Sequence, residues 1–222
     1  MITLITLLAY LIGAIPIAFL LVKFRTGKDI THEGSGNVGA MNSFEVTGSK
    51  WIGIITAVLD ALKGIVAVLI ARKIGGDDFF LTSLAAFFVV FGHNMNVFLK
   101  FKGGRGLAPA AGALLAINPL PVLMWGIMWL TGYYVIKRDV HVGNMAGTIG
   151  APMLLYTTPD LLLKKTMLVP LSTFQKIHEK TGAAIWDFSS FKILVFMICV
   201  LIFIKHLEPI QKLFRENREE LG

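Results

Sequence analysis

Long apolar runs constrain this sequence more than any other feature, because most of them have the length of a bilayer crossing. A transmembrane helix needs about 20 predominantly apolar residues. The chain has 222 residues and is 55% hydrophobic, above the roughly 45–50% of an ordinary soluble domain. The runs are residues 2–24, 51–71, 79–99, 106–118, 119–136, 142–157 and 191–205. We predict an all-α polytopic membrane protein with about seven short transmembrane helices, forming a single integral membrane domain over residues 1–222.

The distribution of Lys and Arg between alternate loops predicts the orientation. Cytoplasmic loops carry an excess of these residues, and short loops weigh most. One side holds Lys23, Arg25, Lys28, Lys50, Lys100, Lys102, Arg105, Lys137, Arg138, Lys205, Lys212, Arg215 and Arg218; the other holds Arg72, Lys73, Lys164, Lys165, Lys176, Lys180 and Lys192. We therefore expect the N-terminus outside and the C-terminus in the cytoplasm, in the inner (cytoplasmic) membrane of a cell.

The net charge of +7 has two explanations, nucleic-acid binding or basic loops against anionic lipid. Because most of this chain consists of apolar runs of bilayer length, basic loops against anionic lipid explain the charge better. We therefore expect membrane lipids and no nucleic acid as partners. Cys199 is the single cysteine, which excludes a disulfide within the chain and a cysteine-based metal site. The spacing of His, Asp and Glu suggests no metal site either, and we expect no cofactor.

A glycine-rich motif, Gly34-Ser-Gly-Asn-Val-Gly-Ala-Met-Asn42, follows the first run. It matches G-x-G-x-x-G formally, but that fingerprint needs a preceding strand in a βαβ unit. Glycines do let backbone N–H groups approach an anion closely, and polar side chains add donors. The candidate phosphate ligands are Gly34, Ser35, Gly36, Asn37, Gly39 and Asn42. A flexible membrane loop is the alternative.

A second glycine-rich segment, residues 92–106, follows the third run. Lys102 and Arg105 flank a glycine pair, and an apolar helical run begins just beyond them. A helix N-terminus beside two cations favours phosphate. The candidate residues are His93, Lys102, Gly103, Gly104 and Arg105. A tight turn in a positive-inside loop is the alternative, and a lone His93 is more typical of a structural histidine.

Three further groups place polar side chains in or beside apolar runs. Asp60 and Lys63 lie three apart within the second run and would share one helix face. Ionisable residues inside the membrane are costly unless paired, so this pair is either structural or supports the loops. His141 and Asn144 open the sixth run, and His206 ends the seventh.

These groups would converge at the cytoplasmic face, as in an active site rather than a permeation path. We take His141 as a candidate general base. The long connection 158–190 is predicted as an enlarged extracytoplasmic loop, with an amphipathic piece around residues 174–178 that would lie in the interface.

The motifs at 34–42, 60–64 and 92–106 resemble those of the PlsY family, bacterial acyl-phosphate:glycerol-3-phosphate acyltransferases, and the ending 205–213 fits more loosely. The resemblance implies a seven-helix fold with a cytoplasmic active site. It implies transfer of a fatty acyl group from acyl phosphate to the 1-hydroxyl of glycerol 3-phosphate, giving lysophosphatidate for phospholipid synthesis. It further implies no acyl-CoA, no metal and a substrate-assisted mechanism that depends on positioning and charge.

The resemblance also implies roles for single residues. Ser35, Asn37 and the glycines of the first motif would hold phosphate together with Lys102, Arg105 and the glycines between them, and His206 matches a family histidine. The catalytic candidates are Ser35, Lys102, His141 and His206; Asn144 joins the phosphate ligands, and Asp60 and Lys63 support the site. We expect a monomer.

Several residues near the predicted site depart from the family pattern. Glu45 stands where the family has an arginine, and Arg105 replaces a lysine, which keeps the charge but not the geometry. The other departures are Met41 for a threonine, Asn96 for a proline, His141 and Asn144 near serine positions, and Pro209 for an asparagine. Two alternatives stay open: a related transferase with another phosphorylated acceptor or donor, and a small anion transporter or lipid-binding membrane protein.

Overall fold

The computed structural model describes residues 1–76, 78–169 and 188–219, and these form helices joined by turns, with no strand among them. Their α-helices are α1 (Ile2–Ala14), α2 (Ile17–Thr26), α3 (Ala40–Thr47), α4 (Lys50–Gly75), α5 (Phe79–Asn94), α6 (Leu107–Ile117), α7 (Leu120–Thr131), α8 (Val140–Thr157), α9 (Asp160–Thr166) and α10 (Phe188–Glu219). Short 3-10 helices cover Ile30–His32 and Val97–Leu99, and a π-helical turn covers Gly132–Ile136. The all-α prediction is confirmed for this part of the chain.

Four helical segments have the length and apolarity of membrane spans: Ile2–Thr26, Lys50–Gly75, Phe79–Leu99 and Phe188–Gln211. Two shorter apolar helical segments, Leu107–Ile117 and Leu120–Ile136, lie between them in the chain. Short helices at membrane depth are tolerated where neighbouring protein satisfies their ends. The count of seven spans and the direction of the termini stay predictions.

The first apolar run differs from its prediction as one continuous helix, because it consists of α1 and α2 with a break at Ile15–Pro16. Proline has no backbone N–H and its ring clashes with the preceding turn, so a helix commonly bends or ends there. Two short helices, α3 and α9, lie outside the predicted runs.

Glycines set the closest approaches between helices. A Cβ added to Gly13 would overlap the Val89 backbone across the α1–α5 contact, and one added to Gly64 would overlap Pro109 across the α4–α6 contact. Small residues let membrane helices pack with their backbones nearly touching. These contacts hold α1, α4, α5 and α6 in fixed relative positions, and the second glycine motif connects α5 to α6 within this group.

Helix α9 and the residues after it close one end of the bundle. Asn118 Nδ2 donates to the Leu163 carbonyl oxygen (3.2 Å), and the Leu168 N–H donates to the Ile117 carbonyl oxygen (2.8 Å). The end of α6 therefore has partners in the segment predicted as an enlarged loop. The amphipathic piece predicted around residues 174–178 lies outside the described residues.

Candidate active site

Asn42 organises the first glycine loop, residues 27–39. Its Oδ1 accepts from the Ser35 N–H (3.0 Å), while Nδ2 donates to the carbonyl oxygens of Glu33 (3.0 Å) and Asn37 (2.9 Å). The Asn42 side chain is buried, whereas Gly34 and Ser35 are exposed. Asn42, predicted as a phosphate ligand, thus has its polar atoms engaged within the loop, and it presents Ser35 outward.

Positive φ angles shape both glycine loops. In the first loop, Gly34 and Gly36 have φ of 58° and 70°, a region that costs glycine little. In the second loop, residues 95–106, the non-glycine residues Lys100 and Phe101 have φ of 52° and 64°. Asn96 offsets their strain locally, because its carbonyl oxygen accepts from the Phe101 N–H at 2.7 Å. The turn leaves Lys102 exposed.

The two glycine loops meet at Gly104. Its N–H donates to the His93 carbonyl oxygen (3.1 Å), and a Cβ built on it would overlap the His93 ring and lie 2.6 Å from the Val38 carbonyl oxygen. Gly103 is equally confined, with its Cβ position 2.6 Å from the Asn94 carbonyl oxygen. A side chain at Gly104 would separate the two loops, and one at Gly103 would push the second loop away from the end of α5.

A buried ion pair of Asp60 and Lys63 lies beneath this meeting point with the His93 ring beside it, and the three residues are here called the ion cluster. Lys63 Nζ pairs with Asp60 Oδ1 at 2.9 Å, and His93 Nδ1 lies 3.7 Å from the same oxygen. Lys63 Nζ also donates to the Ile15 carbonyl oxygen (3.1 Å), at the break between α1 and α2. The predicted supporting pair is thus present, and His93 connects it to Gly104.

Arg105 extends from the second glycine loop to His141 at the start of α8. Arg105 Nη1 lies 3.3 Å from His141 Nδ1. A guanidinium has donors only, so Nδ1 accepts and the imidazole is neutral, with its proton on Nε2. Burial, followed by the Arg105 charge, lowers the pKa of His141, which precedes the apolar run 142–157. The contact keeps neutral the side chain predicted as a general base.

Two carboxylates lie within electrostatic reach of the Arg105 guanidinium, Glu208 on α10 and Glu45 on α3. Burial lowers the pKa of Arg105, and these two carboxylates oppose that effect. The arginine side chain therefore remains a cation in a partly buried setting. Glu45, which departs from the family pattern, is an electrostatic neighbour of both Arg105 and His141.

A neutral hydrogen-bond chain links α7, α8 and α10 next to this pair. Trp129 Nε1 donates to Asn144 Oδ1 (2.9 Å), Asn144 Nδ2 lies 3.3 Å from His206 Nε2, and His206 Nδ1 lies 2.8 Å from the Ile202 carbonyl oxygen. A carbonyl only accepts, so His206 carries its proton on Nδ1 and accepts from Asn144 through Nε2. Both nitrogens of the predicted catalytic His206 are thus occupied in the structure.

Sequence reasoning missed the tryptophans of this chain. Trp125 and Trp129 lie four apart on α7 and face Thr148 and Asn144, four apart on α8. The matching spacing of two donors and two acceptors on consecutive helices was a usable signal. Gly143 and Gly147 provide the room, since a Cβ on Gly143 would lie 2.9 Å from the Trp129 ring.

The structure brings together the two glycine loops, Arg105, His141, Asn144 and His206 at one end of the helix bundle. Asp60, Lys63 and His93 lie beneath them, and Ser35 and Lys102 lie at the exposed surface. Among the described residues no group of three His, Cys, Asp or Glu side chains could hold a metal ion. This arrangement can bind a phosphate group through N–H donors and cations.

The fold defines a polytopic membrane protein whose buried polar side chains gather towards one end of the helix bundle. A family model described as "Glycerol-3-phosphate acyltransferase" matches residues 3–216. The chain is 34% identical over 217 residues to the glycerol-3-phosphate acyltransferase of Thermus thermophilus, covering 97% of this chain and 93% of the relative. It is 42% identical over 146 residues to glycerol-3-phosphate acyltransferase 2 of Moorella thermoacetica, covering 66% and 73%. The chain belongs to the glycerol-3-phosphate acyltransferase family.

The fold is also similar to solved structures. It matches the glycerol 3-phosphate form of PlsY, an integral membrane glycerol 3-phosphate acyltransferase, with a TM-score of 0.73 and 30% identity, over 97% of this chain and 92% of that one. The lysophosphatidic acid form of PlsY matches with a TM-score of 0.71 and 29% identity. These matches confirm the PlsY resemblance and the helical membrane fold.

Proposed function

We propose that this protein transfers a fatty acyl group from acyl phosphate to the 1-hydroxyl of glycerol 3-phosphate, releasing phosphate and forming lysophosphatidate. The observation that carries the proposal is the meeting of the two glycine loops at Gly104, next to the Arg105 guanidinium. Both substrates carry phosphate, and N–H donors with cations are what a phosphate needs. The names of the relatives and the ligand forms of PlsY support the same acceptor.

The chemistry requires positioning more than a base from the protein. The acceptor oxygen attacks the acyl carbon, an ester bond forms, the bond from that carbon to the phosphate oxygen breaks, and the departing phosphate takes the hydroxyl proton. Because the proton goes to the leaving group, His141 and His206 need no free lone pair. Lys102 and Arg105 would stabilise phosphate charge, and Ser35, Asn37 and the loop glycines would orient it.

The same proposal includes the setting of the enzyme. Seven spans, an external N-terminus and a polar end at the cytoplasmic face of the inner membrane place the site where a soluble acceptor and an apolar donor can both reach it. The excess of Lys and Arg on that side supports the orientation. The proposal takes the protein to act as a monomer, with a site that one chain can form.

The test is turnover of palmitoyl phosphate and glycerol 3-phosphate by purified protein in lipid cubic phase, measuring released phosphate and lysophosphatidate. Lys102→Gln should lower kcat/KM at least about 100-fold, as expected for losing a charge-stabilising donor. Lys100→Gln is the matched control, because Lys100 is an exposed lysine in the same loop and should leave turnover within about twofold.

Each alternative has its own outcome. Glu45 beside Arg105 favours a changed acceptor, which would appear as donor consumption only when another phosphorylated polyol replaces glycerol 3-phosphate. Absence of acyl transfer to any phosphorylated polyol would contradict the transferase and favour a lipid-binding protein or an anion transporter. Equal loss of activity in the Lys100 and Lys102 variants would contradict the assigned role of Lys102.

A further inference from the structure

The hydrogen-bond acceptor that His141 offers to the Arg105 guanidinium is uncharged, although two carboxylates lie within electrostatic reach of that guanidinium. Arg105 Nη1 lies 3.3 Å from His141 Nδ1, while Glu45 and Glu208 both attract the same guanidinium. An arginine side chain has about 2 kcal/mol of rotamer entropy, so its direction depends on which partner holds it. A carboxylate partner would cancel its charge, whereas a neutral imidazole orients the guanidinium and leaves that charge available.

The position of His141 is fixed from its backbone. Its N–H donates to Asp139 Oδ1 at 2.7 Å, and the Val142 N–H donates to the same oxygen at 3.1 Å. Asp139 is therefore the N-cap of α8, and His141 sits in the first turn of an 18-residue helix. The positive end of the helix dipole disfavours a second proton on the imidazole. The start of α8 thus fixes the position of the His141 side chain and favours its neutral form.

The charged and titratable groups around the pair come from four elements. Arg105 lies in the second glycine loop, Glu45 on α3 and Asp139 at the start of α8, while His206 and Glu208 lie on α10. The acidic groups favour a charged imidazole, but burial and Arg105 outweigh them in setting the pKa of His141. The imidazole is therefore neutral at neutral pH.

We propose that His141 is a positioning residue that holds the Arg105 guanidinium, through the neutral Nδ1 acceptor, in the orientation that receives a substrate phosphate. The assignment rests on the proposed function and replaces the general base predicted from sequence. An imidazole whose Nδ1 accepts from Arg105 and whose Nε2 carries the proton has no free lone pair to take a proton from the acceptor hydroxyl.

Substituting His141 with asparagine, glutamine and alanine tests the proposal. Asparagine Oδ1 lies close to the place of His141 Nδ1, so His141→Asn keeps the acceptor, whereas His141→Gln moves it and His141→Ala removes it. A hydrogen bond to a charged partner corresponds to roughly 10- to 100-fold in binding. We expect His141→Ala to raise KM for one phosphate-bearing substrate by about tenfold or more, with a smaller change in kcat, and His141→Asn to stay within about threefold of wild type.

The pH profile separates orientation from a merely structural role. As the pH falls through the pKa of His141, which is lowered from 6.5, Nδ1 gains a proton, repels Arg105 and raises KM. The His141→Asn variant cannot titrate and should lack this rise. Substrate phosphate also titrates near pH 6, but equally for both proteins, so the ratio of their KM values isolates His141. Arg138→Gln is the control, since exposed Arg138 lies over the Tyr134 ring, 5.8 Å from its centroid, and should leave the profile unchanged.

A double-mutant cycle with Arg105→Ala completes the experiment. If His141 acts through Arg105, adding His141→Ala to Arg105→Ala should have little further effect on KM. Full additivity, or a KM unchanged in His141→Ala, would overturn the proposal. If wild type shows no turnover, the proposed function fails, and the same variants are compared by calorimetric binding of glycerol 3-phosphate. Tenfold weaker binding by His141→Ala would then support the positioning role, and no binding by wild type would overturn both proposals.

Discussion

Two regions of this protein bury polar groups in different ways. Between α4 and α5, the ion cluster of Asp60, Lys63 and His93 uses charge, with Lys63 Nζ 2.9 Å from Asp60 Oδ1. Among α7, α8 and α10, the chain from Trp129 through Asn144 to His206 uses neutral donors and acceptors. The first lies beneath the polar end of the bundle and the second is part of it, and only the first leaves an unpaired charge when Asp60 or Lys63 is removed.

This difference between charged and neutral burial predicts which region tolerates substitution better. A charge stripped of its partner in a low-dielectric interior costs several kcal/mol, whereas an unpaired neutral group costs about 1–3 kcal/mol. The ion cluster should therefore be the more fragile of the two, although its pairing contributes little net stability. The neutral chain should weaken by degrees, one hydrogen bond at a time.

The largest effect is expected from breaking the ion cluster. Asp60→Asn keeps the shape but leaves Lys63 without its anion, and should lower the free energy of unfolding by about 3–5 kcal/mol. Equilibrium unfolding in mixed micelles measures this value. The double variant Asp60→Leu with Lys63→Met removes both charges and should recover most of the loss. A double variant as unstable as Asp60→Asn would show that the charges themselves, and not their pairing, are needed.

An intermediate effect is expected in the neutral chain. Asn144→Leu keeps the branching of the side chain but leaves Trp129 Nε1 and His206 Nε2 without their partner, and should cost about 1–3 kcal/mol in the same unfolding measurement. The comparison of the two regions is wrong if this variant is destabilised as much as Asp60→Asn. Tryptophan fluorescence provides a second measurement, because Trp129 would lose its polar neighbour.

The smallest effect sharpens the ranking within the neutral chain. Trp125 Nε1 lies 3.4 Å from Thr148 Oγ1, longer than the 2.9 Å of the Trp129 contact. Thr148 Oγ1 already donates to the Asn144 carbonyl oxygen at 2.7 Å. Trp125→Phe should therefore cost about 0.5 kcal/mol or less, and Trp129→Phe about 1 kcal/mol. The reverse order of the two variants, by the same measurement, would contradict the ranking by hydrogen-bond length.

The helices could be predicted because apolar composition over bilayer length is a local property of the sequence. Where the structure departs from that prediction, the cause is either a single residue or a short segment. Pro16 breaks a run that is apolar throughout, and the eight residues of α3 are too short and too polar to register as a run. A periodic or hydropathy signal needs more residues than such elements provide.

Which residues gather at the polar end could be predicted and how they contact one another could not, while their roles in a site stay predictions. The two loops rich in glycine and in Lys or Arg were recognised from their residue types, and the structure gathers them at one end of the bundle. The positions of Asn42 inside its loop, of His93 under Gly104 and of Asn144 between Trp129 and His206 depend on contacts between distant segments. Residue type alone does not say which partner a donor will find.

The contact from Lys63 to the Ile15 carbonyl oxygen has a consequence for biosynthesis. The chain emerges N-terminus first, so α1 and α2 enter the membrane before α4 has been translated. Until then the Ile15 carbonyl oxygen accepts only from the Ile17 N–H (3.0 Å) and lacks its lysine donor, and each hydrogen bond missing at membrane depth is unfavourable. The bend between α1 and α2 would therefore gain its lysine donor only when α4, the next apolar span, has entered the membrane, so that a single ammonium group would link the first span to the second during assembly.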